Sequence, residues 1–282
     1  MYLTINGARI FWDTLGPSLA VEADSMKPRP ALIALHGGPG FDHSSMRPYF
    51  DRFTDTHQVF FIDHRGNGRS TGEPETWTLD QWGDDLAAFC DELGIGKPAV
   101  FGQSFGGMAA MAFATRHPDK VGKLILSSTA ARMRLEETYE IMARLGGQEA
   151  SDIAREFWND PTPKGAGKYM AKCMPLYNPA GGEAAAAIRA RAIMRLEVMF
   201  SFIQGEQRRM DFLPALNRIT APTLVLVGAL DPITPVACAQ EMYDALPPHL
   251  RRLEVFEKAG HGVHRDEPER AEAVLRDFLK EA

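Results

Sequence analysis

The stretch that most constrains this chain is Gly102-Gln103-Ser104-Phe105-Gly106, a G-x-S-x-G pentapeptide. Lys97–Phe101 before it is short and apolar and predicts a buried strand. Met108–Ala114 after it is rich in Ala and Met and predicts a helix. A strand that turns directly into a helix needs a sharp, strained connection. The flanking glycines remove the Cβ atoms that would obstruct it. Such a turn lifts the Ser104 hydroxyl to the carboxyl edge of a sheet, at a helix N-terminus whose amides favour negative charge. The alternative is a glycine-rich turn with an ordinary helix-capping serine, and the rest of the chain decides between them.

Tyr2–Ile5 and Arg9–Thr14 flank Asn6-Gly7 and predict a hairpin. Gly16–Pro30 reads as a polar loop with three prolines. Ala31–Leu35 predicts a strand buried on both faces, as in a parallel sheet. It ends in His36-Gly37-Gly38-Pro39-Gly40, a loop open enough to let a ligand approach the backbone. The Gly38 amide is a candidate oxyanion donor there, with a tight turn as the alternative. Gln58–Ile62 is the next strand, and Asp63–Ser70 after it suits a hydrogen-bonded structural loop. Thr78–Leu93 predicts a helix capped by Thr78 and stopped at Gly94. Val121–Ser127 is a further buried strand.

From residue 130 the pattern changes. Helices are predicted over Arg132–Arg144, Ala150–Trp158 and Glu183–Phe202, and no buried strand recurs before Thr223. We therefore expect an α/β core from residues 1–129 and 213–282, with 130–212 as an all-helical cap. A minority of the cap's large side chains, Trp158 and Phe200 among the candidates, should face a cleft between the two parts. The alternation resumes with Thr223–Val227, a helix ending near Leu246, the strand Arg252–Phe256 and a closing helix over Asp266–Leu279. Repeated strand–helix units predict a mostly parallel sheet with helices on both faces.

In such sheets, sites lie beyond the carboxyl ends of the strands. Ser104, Gly38, Asp231 and His261 all fall there. Serine is a weak nucleophile until a base takes its proton. His261 is the candidate base, and Asp231 the group that orients the imidazole and stabilises its cation. The chain order Ser, Asp, His is that of the α/β-hydrolases. His264 competes for the role of base. His261 is preferred because it follows Gly260 directly after the last strand, where a short loop can reach back to Ser104.

With those residues in view, the chain resembles an α/β-hydrolase of the proline iminopeptidase branch. His36-Gly37-Gly38-Pro39-Gly40 matches that branch's loop, and Asp63–Ser70 is similar to its D-x-R-G-x-G-x-S segment. The resemblance implies the fold, the triad Ser104–His261–Asp231 and an oxyanion hole from the Gly38 and Phe105 amides. Two departures stand out. The elbow carries Gln103 before the serine, where the peptidases usually have glycine, and Phe105 after it, where they usually have Trp or Tyr. The aminopeptidases also fix the substrate's ammonium with carboxylates, and in some short members one follows the triad aspartate, where this chain has Pro232. Glu197 and Glu206 are the remaining candidates for that charge.

The expected function is cofactor-independent, metal-free hydrolysis of an ester, lactone or amide through an acyl-enzyme. Release of N-terminal residues from peptides by a proline iminopeptidase, C–C bond hydrolysis and a non-catalytic ligand-binding receptor are the alternatives. A net charge of −6 gives no reason to expect nucleic acid or an anionic membrane as partner. No apolar run approaches the roughly 18 residues of a membrane span. The expected partner is a small-molecule substrate, and a homo-oligomer is compatible with the sequence. Three widely spaced cysteines fit a reducing cytoplasm better than a disulfide framework.

Overall fold

The computed structural model describes residues 1–181 and 183–280. Its main sheet has eight strands: β1 (Tyr2–Ile5), β2 (Ala8–Leu15), β3 (Ala31–Leu35), β4 (Gln58–Ile62), β5 (Ala99–Gln103), β6 (Lys123–Ser127), β7 (Thr223–Gly228) and β8 (Arg251–Phe256). They lie in the order β1-β2-β4-β3-β5-β6-β7-β8. β1 and β2 pair antiparallel as a hairpin, β2 joins β4 antiparallel, and every pairing from β4 to β8 is parallel. This is the α/β-hydrolase fold.

Side chains alternate across a strand with period two, so each central strand feeds two cores. On β3, Ile33 and Leu35 join one apolar cluster and Leu32 and Ala34 the other. On β5, Val100 and Phe101 divide in the same way. One face is covered by α1 (Leu79–Glu92) and α2 (Phe105–Arg116). α1 begins where the Thr78 hydroxyl accepts from the Gln81 amide at 3.2 Å. It turns Leu79, Trp82, Leu86 and Phe89 inward, a helical spacing that sets one stripe against the sheet.

Between β6 and β7 the chain makes the helices α3 (Leu135–Gly146), α4 (Gln148–Asn159), α5 (Pro163–Lys172), α6 (Glu183–Arg191) and α7 (Leu196–Gln204). Tyr139, Met142, Phe157, Tyr169 and Ile203 form a third apolar cluster there, and Ile233 of the core joins it. The chain closes with α8 (Val236–Ala245) and α9 (Pro268–Lys280). Among the described residues no helix is long and apolar enough to cross a membrane.

Three expectations need correction. The loop Gly16–Pro30 contains a small antiparallel ribbon, Leu19–Val21 with Met26–Pro28. Helix α5 has no counterpart among the helices expected between residues 130 and 212, and it grows directly out of Asp160-Pro161-Thr162-Pro163. Thr162 caps it, accepting from the Gly165 amide at 3.0 Å, and Pro163 opens its first turn. Finally, the helix expected over Glu183–Phe202 is broken between Arg191 and Leu196. The Arg195 amide leaves the helical ladder to donate to the Gly40 carbonyl at 2.7 Å.

Candidate active site

β5 runs into α2 through Ser104, whose backbone sits at φ 53°, ψ −119°. That conformation is strained for a residue with a side chain and persists only where its surroundings dictate it. The Ser104 amide donates to the Ser127 carbonyl at 2.9 Å, and the Thr129 hydroxyl donates to the Ser104 carbonyl at 2.7 Å. A Cβ on Gly106 would meet the Leu35 carbonyl oxygen at 2.5 Å, so α2 closes on β3 only because glycine stands there. The sequence predicts such a sharp turn at this place.

The loops after β7 and β8 bring Asp231 and His261 to the same point. His261 Nδ1 lies 2.9 Å from each carboxylate oxygen of Asp231, and Nε2 lies 2.9 Å from Ser104 Oγ. Asp231 is buried and also accepts from the Ile233 amide at 2.8 Å, the Thr234 amide at 2.9 Å and the Thr234 hydroxyl at 2.9 Å. With Nδ1–H donated to the carboxylate, Nε2 carries a lone pair toward the serine hydroxyl. The arrangement can take a proton from Ser104.

Three contacts at this point go beyond the sequence reading. Gln103 Nε2 donates to the His261 carbonyl at 3.0 Å, which gives the unusual residue before the serine a supporting task. Arg265 Nη2 donates to the same carbonyl at 2.9 Å. Thr234 stands three residues after Asp231, a spacing that makes a side-chain-capped turn and is a signal present in the sequence.

The Gly38 and Phe105 amides flank the serine. Phe105 opens α2, and the Gly37–Gly38 loop lies against Ser104, so close that a Cβ on Gly37 would stand 3.3 Å from Ser104 Cβ. Among the described residues neither amide donates to a protein acceptor. The Phe105 ring is buried edge-on to Trp82 at 4.7 Å and to Phe202 of α7 at 5.3 Å, which ties the helical segment to the elbow.

Ser104 and His261 line a cavity of about 170 Å³. Met108, Met133, Met170, Met174 and Met199 supply much of its wall. Such side chains suit an apolar ligand of adaptable shape. Trp158 lines it, together with Phe41, Phe157, Tyr169 and Tyr177. Among the described residues Asp42 is the one carboxylate in the wall. It is fully buried, accepts from the Ser44 hydroxyl at 2.5 Å and pairs with Arg69 at 2.9 Å.

The other candidates lie elsewhere. Glu197 is exposed, 3.7 Å from Arg195, and does not line the cavity. Glu206 is buried away from it, accepting from the Leu79 amide at the start of α1 at 2.8 Å and from Arg209. Its charge serves a helix N-terminus. Phe200 packs in the apolar cluster of the helical segment instead of facing the cavity. The need for a carboxylate brings the two glutamates forward and side-chain size brings Phe200 forward, but neither says which neighbour a helix face will meet. His264 is buried among Tyr49, Phe50 and Phe101, and its two ring nitrogens have no partner among the described residues. His36 donates to the Gly37 carbonyl at 2.7 Å and accepts from the His64 amide at 3.2 Å, and His43 Nδ1 lies 2.6 Å from Asp63, so both brace loops. Arg65 pairs with Asp85 through two nitrogens, at 2.7 and 2.6 Å, as the structural reading of that loop expects.

Fold and residue arrangement together define an α/β-hydrolase enzyme. Residues 26–268 match the family described as serine aminopeptidase, S33, and the chain belongs to that family. A proline iminopeptidase of Clostridioides difficile (strain 630) is 27% identical over 99% of this chain and 97% of its own length. The crystal structure of VinJ superimposes with a TM-score of 0.78 at 24% identity, covering 99% of this chain and 97% of that one. The enol-lactonase from Burkholderia xenovorans LB400 also gives a TM-score of 0.78, at 22% identity, with 100% of both chains covered. At those identities the two structures speak for the fold.

Proposed function

We propose that this chain is a serine hydrolase that cleaves an ester, lactone or amide bond of an uncharged substrate through an acyl-enzyme. Residues 130–212 act as a cap over a core made of 1–129 and 213–282. Ser104 Oγ attacks the carbonyl carbon while His261 Nε2 takes its proton, and Asp231 holds the imidazole and offsets its positive charge. The Gly38 and Phe105 amides receive the oxyanion, helped by the N-terminus of α2. His261 then protonates the leaving group, and water deacylates Ser104 by the same route.

The observation that carries the substrate class is the wall of the cavity. An aminopeptidase must desolvate an ammonium, which costs several kcal/mol unless a carboxylate answers it. Asp42 is already committed to Arg69 and Ser44, and Glu197 and Glu206 stand outside. The methionine-rich wall favours an uncharged acyl or alcohol group. The name of the Clostridioides difficile relative favours the peptide reading instead. A turnover screen of p-nitrophenyl esters and lactones against proline-anilide decides between them. We expect the neutral esters or lactones to give the higher kcat/KM, and proline-anilide proving better would overturn the substrate class. A fluorophosphonate probe should label Ser104, and labelling elsewhere would overturn the mechanism.

A further inference from the structure

Among the polar side chains that line the cavity, three are joined to one another. Trp158 Nε1 donates to the Tyr169 hydroxyl at 3.1 Å, and the Tyr169 and Tyr177 hydroxyls lie 2.6 Å apart. All three residues line the cavity that contains Ser104. The Tyr177 ring stands edge-on to the His261 ring at 5.2 Å, so the array begins beside the proposed base.

The hydrogens can be counted. The indole N–H and the two phenol O–H groups supply three donor hydrogens, and the array uses two, one in each of its hydrogen bonds. If Tyr169 donates to Tyr177, the Tyr177 hydrogen is left over. If Tyr177 donates to Tyr169, the Tyr169 hydrogen is left over. Among the described residues neither hydroxyl has a further partner, so one O–H remains for whatever occupies the cavity in either direction of the chain. Burial pushes both phenols up from their ordinary value, so each stays protonated and acts as a donor throughout the working pH range.

Resting on the hydrolase reading above, we infer that Tyr169 and Tyr177 select substrates carrying a neutral hydrogen-bond acceptor remote from the scissile carbonyl. A ketone, amide or ether oxygen answers the O–H. A purely hydrocarbon chain leaves that buried donor unpaired, which is the costly outcome.

The test compares p-nitrophenyl heptanoate with its 5-oxo and 6-oxo counterparts, each kcat/KM divided by that ester's hydroxide-catalysed rate. The wild-type chain should prefer at least one oxo ester by about tenfold. In Trp158→Phe/Tyr169→Phe/Tyr177→Phe, which removes all three donors of the array, the ratio of oxo to parent ester should fall below about threefold. No preference in the wild-type chain, or an unchanged ratio in the triple variant, overturns the inference. The same ratio read as Kd by calorimetry in Ser104→Ala needs no turnover. Failure of all three esters to be hydrolysed would therefore sink the esterase reading, while the donor stands or falls on the Kd ratio: about tenfold upholds it and none overturns it.

Discussion

The His261 backbone amide donates to the Tyr177 carbonyl at 2.6 Å, so the loop that carries the proposed base leans on the helical segment as well as on the sheet. A Cβ on Gly260 would lie 2.1 Å from that same carbonyl oxygen. Asn178 Nδ2 and the Gly260 amide both donate to Asp266 Oδ2, at 3.0 and 2.8 Å, and lock the contact from the other side. Gly260→Ala should therefore push the imidazole away from Ser104 and lower kcat by about a hundredfold while the chain still unfolds cooperatively. Steady-state kinetics with a thermal melt checks this, and a near-wild-type kcat would show that the contact does not position the base.

Ser104→Ala and His261→Ala should each lower kcat by at least roughly a thousandfold, and the double variant should lose little more, because the two act as one unit. His264→Ala should change kcat by far less, since His264 sits among Tyr49, Phe50 and Phe101 and away from the serine. Additive losses in the double variant would mean that the two residues work independently.

The two glutamates separate activity from stability. Glu197→Gln should leave ester turnover within about twofold, because the side chain is exposed and its ion pair with Arg195 is of the weak surface kind. Glu206→Ala removes the acceptor of the Leu79 amide and should cost about 1 kcal/mol. Urea denaturation reads this as a lower midpoint at unchanged m. Selective loss of proline-anilide cleavage in either variant would return these residues to substrate binding.

Burial drives the imidazoles of His36, His64 and His264 below the ordinary histidine value of 6.5, and Arg265 adds to the effect at His264. The unfolded chain binds their protons as the pH falls through 6.5 and the native chain does not, so stability is fully present above that value and declines below it. His264→Phe removes one such group and two unpaired ring nitrogens. It should raise stability by about 1 kcal/mol at pH 7. It should also flatten the loss between roughly pH 6.5 and 5, by up to about 1.4 kcal/mol per pH unit. Denaturation curves at two pH values check both parts, and an unchanged acid slope would mean that His264 titrates normally.

The sheet is legible in the sequence because its strands are continuous apolar runs ended by glycine-rich loops, and because strand ends are where such folds place chemistry. The placement of Ser104, Asp231 and His261 at strand ends is legible in the same way. The helical segment is harder to read. The interruption at Arg195 depends on Gly40, far away along the chain, and no local pattern encodes that partner. Glu206 and Phe200 show the same limit: an amphipathic helix announces which side is apolar without saying whether that side meets a cavity, a helix end or another core. Gln103 stands out in the sequence as a departure, but its donation to the His261 carbonyl requires the fold to bring the two loops together.

A Cβ on Gly40 would lie 2.6 Å from the Arg195 carbonyl oxygen, just as one on Gly260 would strike that of Tyr177. The helical segment thus meets the sheet domain backbone to backbone at two points, each held open by a missing side chain on the opposite partner. In a recombination experiment the exchangeable unit is therefore larger than the stretch between β6 and β7. A foreign segment grafted onto this chain seats only if its own backbone accepts the two bare positions, and this segment transplanted elsewhere needs glycines waiting for it at both.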